Sequence, residues 1–90
     1  MKVRRTADFN RDYAAASPAV QRAFDKQLRF FVEQGPRYPS LQVHPWPADG
    51  PDAMQARVTL RARFYYRLNG DTYEIYRLRE EHPKSSKRGR

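Results

Sequence analysis

The sequence between Met54 and Leu68 alternates between apolar and polar residues. One set of alternate positions is apolar: Met54, Ala56, Val58, Leu60, Ala62, Phe64, Tyr66 and Leu68. The positions between them form the second set: Gln55, Arg57, Thr59, Arg61, Arg63, Tyr65 and Arg67. Because successive side chains of a β-strand point to opposite faces, this period of two predicts one apolar and one polar face. The stretch is longer than an ordinary strand, so we expect a tight reversal near Leu60–Ala62.

The polar face of this predicted strand pair carries four arginines and no acidic residue. Many charged strand faces are simply solvated, so a solvent-exposed surface is one interpretation. The clustering of positive charge favours the other interpretation, an anion-binding surface. The whole chain also has a formal net charge of +8. Such a balance is typical of proteins whose partner is a nucleic acid, an anionic membrane or an acidic protein.

Length and composition limit the remaining possibilities. A chain of 90 residues predicts one small domain with a single core. Cysteine is absent and there are two histidines, which excludes disulfides and argues against a structural zinc site. No apolar run is long enough to span a bilayer, and the first residues lack the apolar segment of a signal peptide. We therefore expect a cytoplasmic protein without a cofactor, a metal or a membrane partner.

The first third of the chain predicts a strand and two helices. Residues 2–5 are a candidate opening strand. Thr6 can cap a helix that begins at Ala7, and Ser17-Pro18 can end that helix and start a second one. Gly35-Pro36 predicts the end of the second helix. An apolar stripe along this helix predicts packing on the apolar face of the sheet: Val20, Phe24, Leu28, Phe31 and Val32.

Residues 36–52 contain five prolines and one glycine, which predicts a long loop with little regular structure. Two of its side chains allow more than one interpretation. Trp46 can close the edge of the core or stack on a nucleic-acid base. His44 can act as an acid or base, although a loop histidine is more often solvated.

The end of the sheet is predicted by a hairpin signal. Asn69-Gly70-Asp71 is a strong turn sequence, and the segment 72–79 that follows is the expected returning strand. Its apolar alternation is imperfect, which indicates either burial on both faces or a β-bulge. The predicted fold is therefore α+β, with an N-terminal strand, a two-helix hairpin and a three-stranded antiparallel sheet packed on the helices. Residues 1–83 form the single domain, and residues 84–90 form a disordered basic tail.

Motifs along nearly the whole chain resemble the RelE/ParE superfamily of toxins from bacterial type II toxin–antitoxin systems. The matching features are Phe9, Tyr13, Ser17-Pro18, Pro39-Ser40-Leu41, Ala56-Arg57-Val58, Arg63-Phe64-Tyr65-Tyr66, Asn69-Gly70-Asp71 and His82. Each motif is weak alone, and their order and spacing are what carry the resemblance. It implies a RelE-like fold, related to that of microbial ribonucleases.

The resemblance implies one of two activities. RelE-like members are metal-independent endoribonucleases that cut mRNA at the ribosome through attack by the RNA's own 2′-hydroxyl, and so inhibit translation. ParE-like members poison DNA gyrase. A non-catalytic member that binds RNA or its antitoxin is a third alternative. The expected partners of the ribonuclease are mRNA, the ribosome and a cognate antitoxin that is acidic and partly disordered.

The ribonuclease alternative assigns roles to particular residues. Cleavage through the 2′-hydroxyl needs proton transfer and cations that stabilise charge on the phosphate. By resemblance and residue chemistry, the candidate catalytic residues are Arg63, Arg57 and His82. The candidate RNA-binding residues are Arg61, Arg67, Tyr65, Tyr76, His44 and Lys84. The chain departs from many ribonuclease members at Met54-Gln55, where they have an aromatic–acidic pair, and at Pro83.

Overall fold

The computed structural model describes residues 1–81, in which seven helices and strands form a two-layer α+β domain. In chain order they are β1 (Lys2–Arg5), α1 (Ala7–Ala15), α2 (Pro18–Gln34), β2 (His44–Pro45), β3 (Met54–Arg57), β4 (Ala62–Asn69) and β5 (Thr72–Glu80). Short 3₁₀ turns at Pro39–Leu41 and Pro47–Asp49 lie within the proline-rich segment. The part of the chain described contains no helix long and apolar enough to cross a membrane. The predicted tail, residues 84–90, lies outside the described residues.

The sheet is mixed and has five strands in the order β1-β5-β4-β3-β2. The predicted three antiparallel strands are present as β3, β4 and β5, but the prediction missed that β1 and β2 join the same sheet. β1 pairs parallel to β5, while the other neighbours are antiparallel. A parallel pair needs a long connection, and here all the elements from α1 to β4 lie between its two strands in the chain. β2 comes from the proline-rich loop, where Pro45 is tolerated because it sits on an edge strand of only two residues.

Both predicted helix starts are confirmed. The hydroxyl of Thr6 accepts a hydrogen bond from the Phe9 backbone N–H at 3.2 Å, and the hydroxyl of Ser17 accepts one from Val20 N–H at 3.2 Å. These caps satisfy amides that have no partner within the first helical turn. α2 ends at Gly35, whose φ of 87° lies in the region that favours glycine.

The helices pack on the apolar face of the sheet, as predicted. Phe64 of β4 lies at the centre of the core, with its ring centroid 5.4 Å from that of Phe24 and 5.7 Å from that of Phe31. The predicted stripe on α2 is wrong at Val32, which is 45% exposed. Gln27, between Phe24 and Phe31 on the same face, is buried in its place.

The turns that join β3, β4 and β5 set the register of the sheet. The predicted reversal after β3 is confirmed at residues 58–61, although Leu60, assigned to the apolar face, is 73% exposed. In the next hairpin Asn69 pairs with Thr72, so Gly70 and Asp71 form the turn rather than Asn69 and Gly70. Of these three residues only Gly70 has a positive φ, 64°. The β4–β5 ladder contains a register shift at Tyr65/Tyr66, which confirms the bulge alternative for β5.

Candidate functional site

The polar face of the sheet brings three arginines side by side on neighbouring strands. Arg57 of β3 lies directly opposite Arg63 of β4, and Arg63 lies opposite Arg79 of β5. We call these three residues the arginine row. Like charges that face each other across a ladder destabilise a sheet. An anion bound over the row would offset this repulsion.

Some cations among residues 1–81 are neutralised by carboxylates, whereas the arginine row is not. Four ion pairs join Lys2 to Asp71, Arg4 to Glu74, Arg11 to Asp8 and Arg77 to Asp12. Among residues 1–81, no carboxylate forms an ion pair with a member of the arginine row. The row therefore combines mutual repulsion with a lack of counter-charge, which is the electrostatic pattern of an anion site.

Sequence reasoning missed Arg79, because the bulge decides where it points. Without a bulge, the register set by the hairpin pair Asn69–Thr72 would place Leu78 opposite Arg63. The extra residue in β5 shifts the pairing, so that Leu78 lies opposite Phe64 in the core and Arg79 lies opposite Arg63. The imperfect alternation of β5 was the available signal in the sequence. Leu78 can be buried in the core only if β5 contains one extra residue, and that residue also moves Arg79 opposite Arg63.

Backbone carbonyls of the β3–β4 turn position Arg63. Its Nη1 donates to the carbonyl oxygens of Thr59, Leu60 and Ala62 at 2.7, 3.2 and 3.0 Å. The turn itself is closed by the Thr59 hydroxyl, which accepts from Ala62 N–H at 3.0 Å. These contacts hold the guanidinium at the end of the sheet. Arg57, its neighbour, has a buried Nε atom without a hydrogen-bond partner in the described part of the chain.

Tyr65 occupies the middle of the polar face and is 96% buried, with a relative exposure of 4%. Its hydroxyl accepts a hydrogen bond from Gln55 Nε2 at 3.0 Å. The Trp46 ring centroid lies 5.5 Å away, and the Arg79 guanidinium lies 5.0 Å from the Tyr65 ring centroid. The alternation predicted that Gln55 and Tyr65 are exposed to solvent. That prediction was wrong, because both are buried and Trp46 of the proline-rich segment covers part of this face.

At the opposite end of the polar face, the proline-rich segment is fastened to the sheet. The Tyr76 hydroxyl donates to Asp49 Oδ2 at 2.7 Å. Arg67 Nη2 donates to the Asp49 carbonyl oxygen at 3.3 Å, and its guanidinium lies 4.2 Å from the Tyr76 ring centroid. Burial, and then the neighbouring Asp49 carboxylate, raise the pKa of the Tyr76 phenol. We call Arg67, Tyr76 and Asp49 the loop clamp.

The other candidate residues are distributed around this face. Arg61 lies in the exposed β3–β4 turn rather than in a strand, and its carbonyl accepts from Glu81 N–H at 2.7 Å. His44 is exposed on β2, opposite Gln55, with Nδ1 3.2 Å from the Gln42 carbonyl oxygen. Candidates His82 and Lys84, together with Pro83, lie outside the described residues.

The arrangement can hold a phosphate but offers no metal site within residues 1–81, where no group of three potential ligands lies together. A phosphate placed over the arginine row would meet guanidinium groups from adjacent strands, and guanidinium groups bind phosphate oxygens in pairs of parallel hydrogen bonds. Four of the six expected RNA-binding residues divide into two groups. Arg61 lies near the row, whereas Arg67, Tyr65 and Tyr76 already contact other parts of the protein.

Comparisons with known proteins identify the fold. No family model and no curated protein matches the chain, but solved structures do. The YoeB/ParE toxin from Agrobacterium tumefaciens is 21% identical over 91% of this chain and all of its own, with a TM-score of 0.68. YafQ from E. coli strain BL21(DE3) is 13% identical over 89% of this chain and 92% of its own, with a TM-score of 0.73.

A third structure extends the comparison to a complex. A chain of the RelB–RelE antitoxin–toxin complex from Methanococcus jannaschii is 12% identical, covers 86% of this chain and 88% of its own, and has a TM-score of 0.71. These identities are too low to transfer residue roles. The TM-scores of 0.68 to 0.73 show that the protein shares the fold of these toxin structures, which confirms the resemblance at the level of fold.

Proposed function

We propose that the protein is the toxin of a type II toxin–antitoxin system and acts as a metal-independent endoribonuclease on mRNA at the ribosome. The observation that carries this proposal is the arginine row, in which Arg57, Arg63 and Arg79 lie opposite one another without carboxylate partners among the described residues. The proposal is supported by the fold, which is shared with solved toxins including YafQ.

The proposed reaction uses the RNA's own nucleophile. The 2′-hydroxyl oxygen attacks the adjacent phosphorus as the bond to the 5′-oxygen breaks, which yields a 2′,3′-cyclic phosphate and a 5′-hydroxyl. One proton leaves the 2′-hydroxyl and one reaches the 5′-oxygen. Negative charge grows on the non-bridging oxygens, where preorganised guanidinium groups stabilise the transition state more than the ground state.

Within this mechanism Arg63 stabilises the developing charge, since its guanidinium is already held in place by the turn carbonyls. Arg57 and Arg79 bind the same phosphate from the two neighbouring strands. His82 is the proposed proton-transfer residue because imidazole titrates near neutral pH. Glu81, the last described residue, is hydrogen-bonded to Arg61 at the same end of the sheet as the arginine row.

The proposed partner is an acidic, partly disordered antitoxin. Solved structures with this fold include the DinJ–YafQ and RelB–RelE complexes. Carboxylates laid over the arginine row would replace the substrate phosphate directly, so the antitoxin would inhibit by competition for the same cations.

Induced expression in bacteria tests the proposal. We expect growth arrest and discrete mRNA cuts with the wild type, and loss of both with Arg63→Ala and His82→Ala. The matched control is Arg67→Ala, on the same strand and face but in the loop clamp, which retains cleavage. Arrest with DNA damage and uncut mRNA would contradict the ribonuclease and favour the gyrase inhibitor. Absence of arrest would favour a non-catalytic binding protein.

A further inference from the structure

A cavity of about 430 Å³ opens beside the arginine row, at the edge of β3. Beyond Gln55 this edge is not paired with β2, whose two residues reach only Gln55 and Met54. The cavity lies between α2, the segment after α2 and the β3–β4 turn. We call it the edge pocket, and its lining includes Lys26, Gln27, Ser40, Gln42, Arg57 and Leu60. Its volume is in the range of small-ligand sites.

The inner wall of the edge pocket is rigid, because Gln27 uses its whole amide group in hydrogen bonds. Its Nε2 donates to the carbonyl oxygens of Ser40 and Arg57 at 3.0 and 2.9 Å. Its Oε1 accepts from the Ser40 hydroxyl at 3.2 Å. A buried, fully bonded amide fixes the distance between α2 and the end of β3. The pocket is therefore preformed in the absence of a ligand.

The edge pocket contains positive charge with room for an anion. Lys26 of α2 and Arg57 of β3 both line it, and the Nε atom of Arg57 is buried without a partner among the described residues. A buried donor without an acceptor lowers stability unless a ligand supplies one. Gln42, which also lines the pocket, has a φ of 45°, a strained backbone of the kind found at binding sites.

An exposed apolar side chain borders the same pocket. Leu60 lines it and is 73% exposed, although the alternation of the sequence assigns Leu60 to the buried face. A ligand with a charged group and a flat apolar surface would match this combination of Lys26, Arg57 and Leu60. A nucleotide has both features, since its phosphate is anionic and its base has two apolar faces.

We infer that the edge pocket binds the RNA nucleotide next to the one whose phosphate lies on the arginine row. Lys26 and Arg57 contact its phosphate, and Leu60 packs against its base. Arg57 belongs to both sites, which places consecutive phosphates on adjacent cations. This inference rests on the proposed function, because it assigns a subsite to the same single-stranded RNA.

Binding of a non-cleavable RNA tests the edge pocket separately from catalysis. The probe is a fluorescently labelled pentanucleotide with 2′-O-methyl groups on every ribose, followed by fluorescence anisotropy at several salt concentrations. Lys26→Gln should weaken binding about fivefold, the loss expected for one partly exposed ion pair. It should also reduce the slope of log affinity against log salt by about 0.7. Arg29→Gln, on the same helix but outside the pocket lining, should change neither value.

The base contact has its own test and control. Leu60→Ser should weaken binding about threefold, the effect of removing one modest apolar contact, whereas Leu68→Ser, which changes another exposed leucine, should not. An abasic residue placed in turn at each RNA position should abolish the difference between wild type and Leu60→Ser at one position only. A difference that persists with every abasic RNA would overturn the base contact.

The outcomes distinguish the pocket from the proposed function. If the wild type binds the pentanucleotide and cuts mRNA but Lys26→Gln behaves like Arg29→Gln, the edge pocket is wrong and the ribonuclease stands. If Lys26→Gln loses affinity while the wild type cuts no mRNA, the pocket stands as an RNA site and the catalytic proposal is wrong. If the wild type cuts mRNA but does not bind the pentanucleotide, the edge pocket is overturned and the ribonuclease stands.

Discussion

Both ends of the polar face contain arginines, but the surroundings of these arginines differ. At one end, Arg67 lies over the Tyr76 ring and donates to the Asp49 carbonyl oxygen, and the proline-rich segment covers both. At the other end, Arg57, Arg63 and Arg79 lie side by side without carboxylate partners within residues 1–81. Arg63 and Arg67 are four residues apart on one strand, yet one belongs to the open arginine row and the other to the loop clamp.

This difference shows that two arginines on the same strand and the same face can have different roles. Arg67 stacks on Tyr76 and donates to the proline-rich segment, so it fixes that segment to the sheet and contributes mainly to stability. Arg63 is held by carbonyl oxygens of the β3–β4 turn but lies between two other arginines, so an incoming anion would relieve the repulsion among them. The two ends should therefore respond differently to mutation, one in activity and the other in folding.

The largest expected effect is the loss of RNA cleavage when the arginine row is changed. Arg63→Ala should lower the rate of RNA cleavage about 100-fold or more, the usual loss for a group that stabilises transition-state charge. Arg67→Ala should lower it less than about threefold and instead reduce the melting temperature. Rates under single-turnover conditions and thermal unfolding of both variants check this. Equal rate losses would mean that the two ends do not differ in function.

The next effect concerns the support of the arginine row. Gln27→Ala should lower the free energy of unfolding by about 2 kcal/mol, because it leaves the Ser40 and Arg57 carbonyl oxygens without their donor. Gln34→Ala, at the exposed end of the same helix, should change it by less than about 0.5 kcal/mol. Urea unfolding measures both values. A similar small change in both variants would show that the amide does not hold the end of β3.

A smaller effect is expected at the loop clamp. Tyr76→Phe removes the hydrogen bond to Asp49 and should lower the free energy of unfolding at pH 7 by about 1 kcal/mol. The control Tyr38→Phe alters a tyrosine outside the clamp and should have less effect. Cleavage should persist in both variants. Loss of cleavage in Tyr76→Phe with little change in stability would assign the clamp to the active site.

The clamp also predicts a dependence on alkaline pH. The pKa of Tyr76 is raised in the folded protein, so the phenol holds its proton there after it has lost it in the unfolded chain. Its contribution to stability is complete below the unfolded pKa of about 10 and is lost as pH rises through the folded value. Unfolding free energies from pH 8 to pH 11 should therefore fall less steeply for Tyr76→Phe than for the wild type. Parallel curves would contradict this.

The smallest effect is expected at the outer member of the row. Arg79→Gln should lower affinity for single-stranded RNA a few-fold and reduce its salt slope by about 0.7, as for the loss of one phosphate contact. Arg4→Gln, on β1 and paired with Glu74, should leave the slope unchanged. Anisotropy titrations at several salt concentrations compare the two. An unchanged slope in Arg79→Gln would remove Arg79 from the phosphate site.

Much of the fold was determined by local sequence patterns. The alternation from Met54 to Leu68 specifies which face is apolar, and Thr6 and Ser17 specify where the helices begin, because strand alternation and helix capping act over a few residues. The same alternation placed Arg57 and Arg63 on one face of the sheet. Their proposed roles, and those of His82 and the other candidate residues, remain predictions.

Only the tertiary structure decided how distant segments meet. β1 pairs with β5, although these strands lie at opposite ends of the described chain, and the bulge in β5 places Arg79 beside Arg63. The proline-rich segment covers Tyr65 and binds Arg67, whereas Lys26 and Leu60 meet at the edge pocket. These arrangements depend on which packing buries Leu78 in the core and satisfies the buried amide of Gln27. That condition depends on the whole core, so it cannot be deduced from any short segment of the sequence.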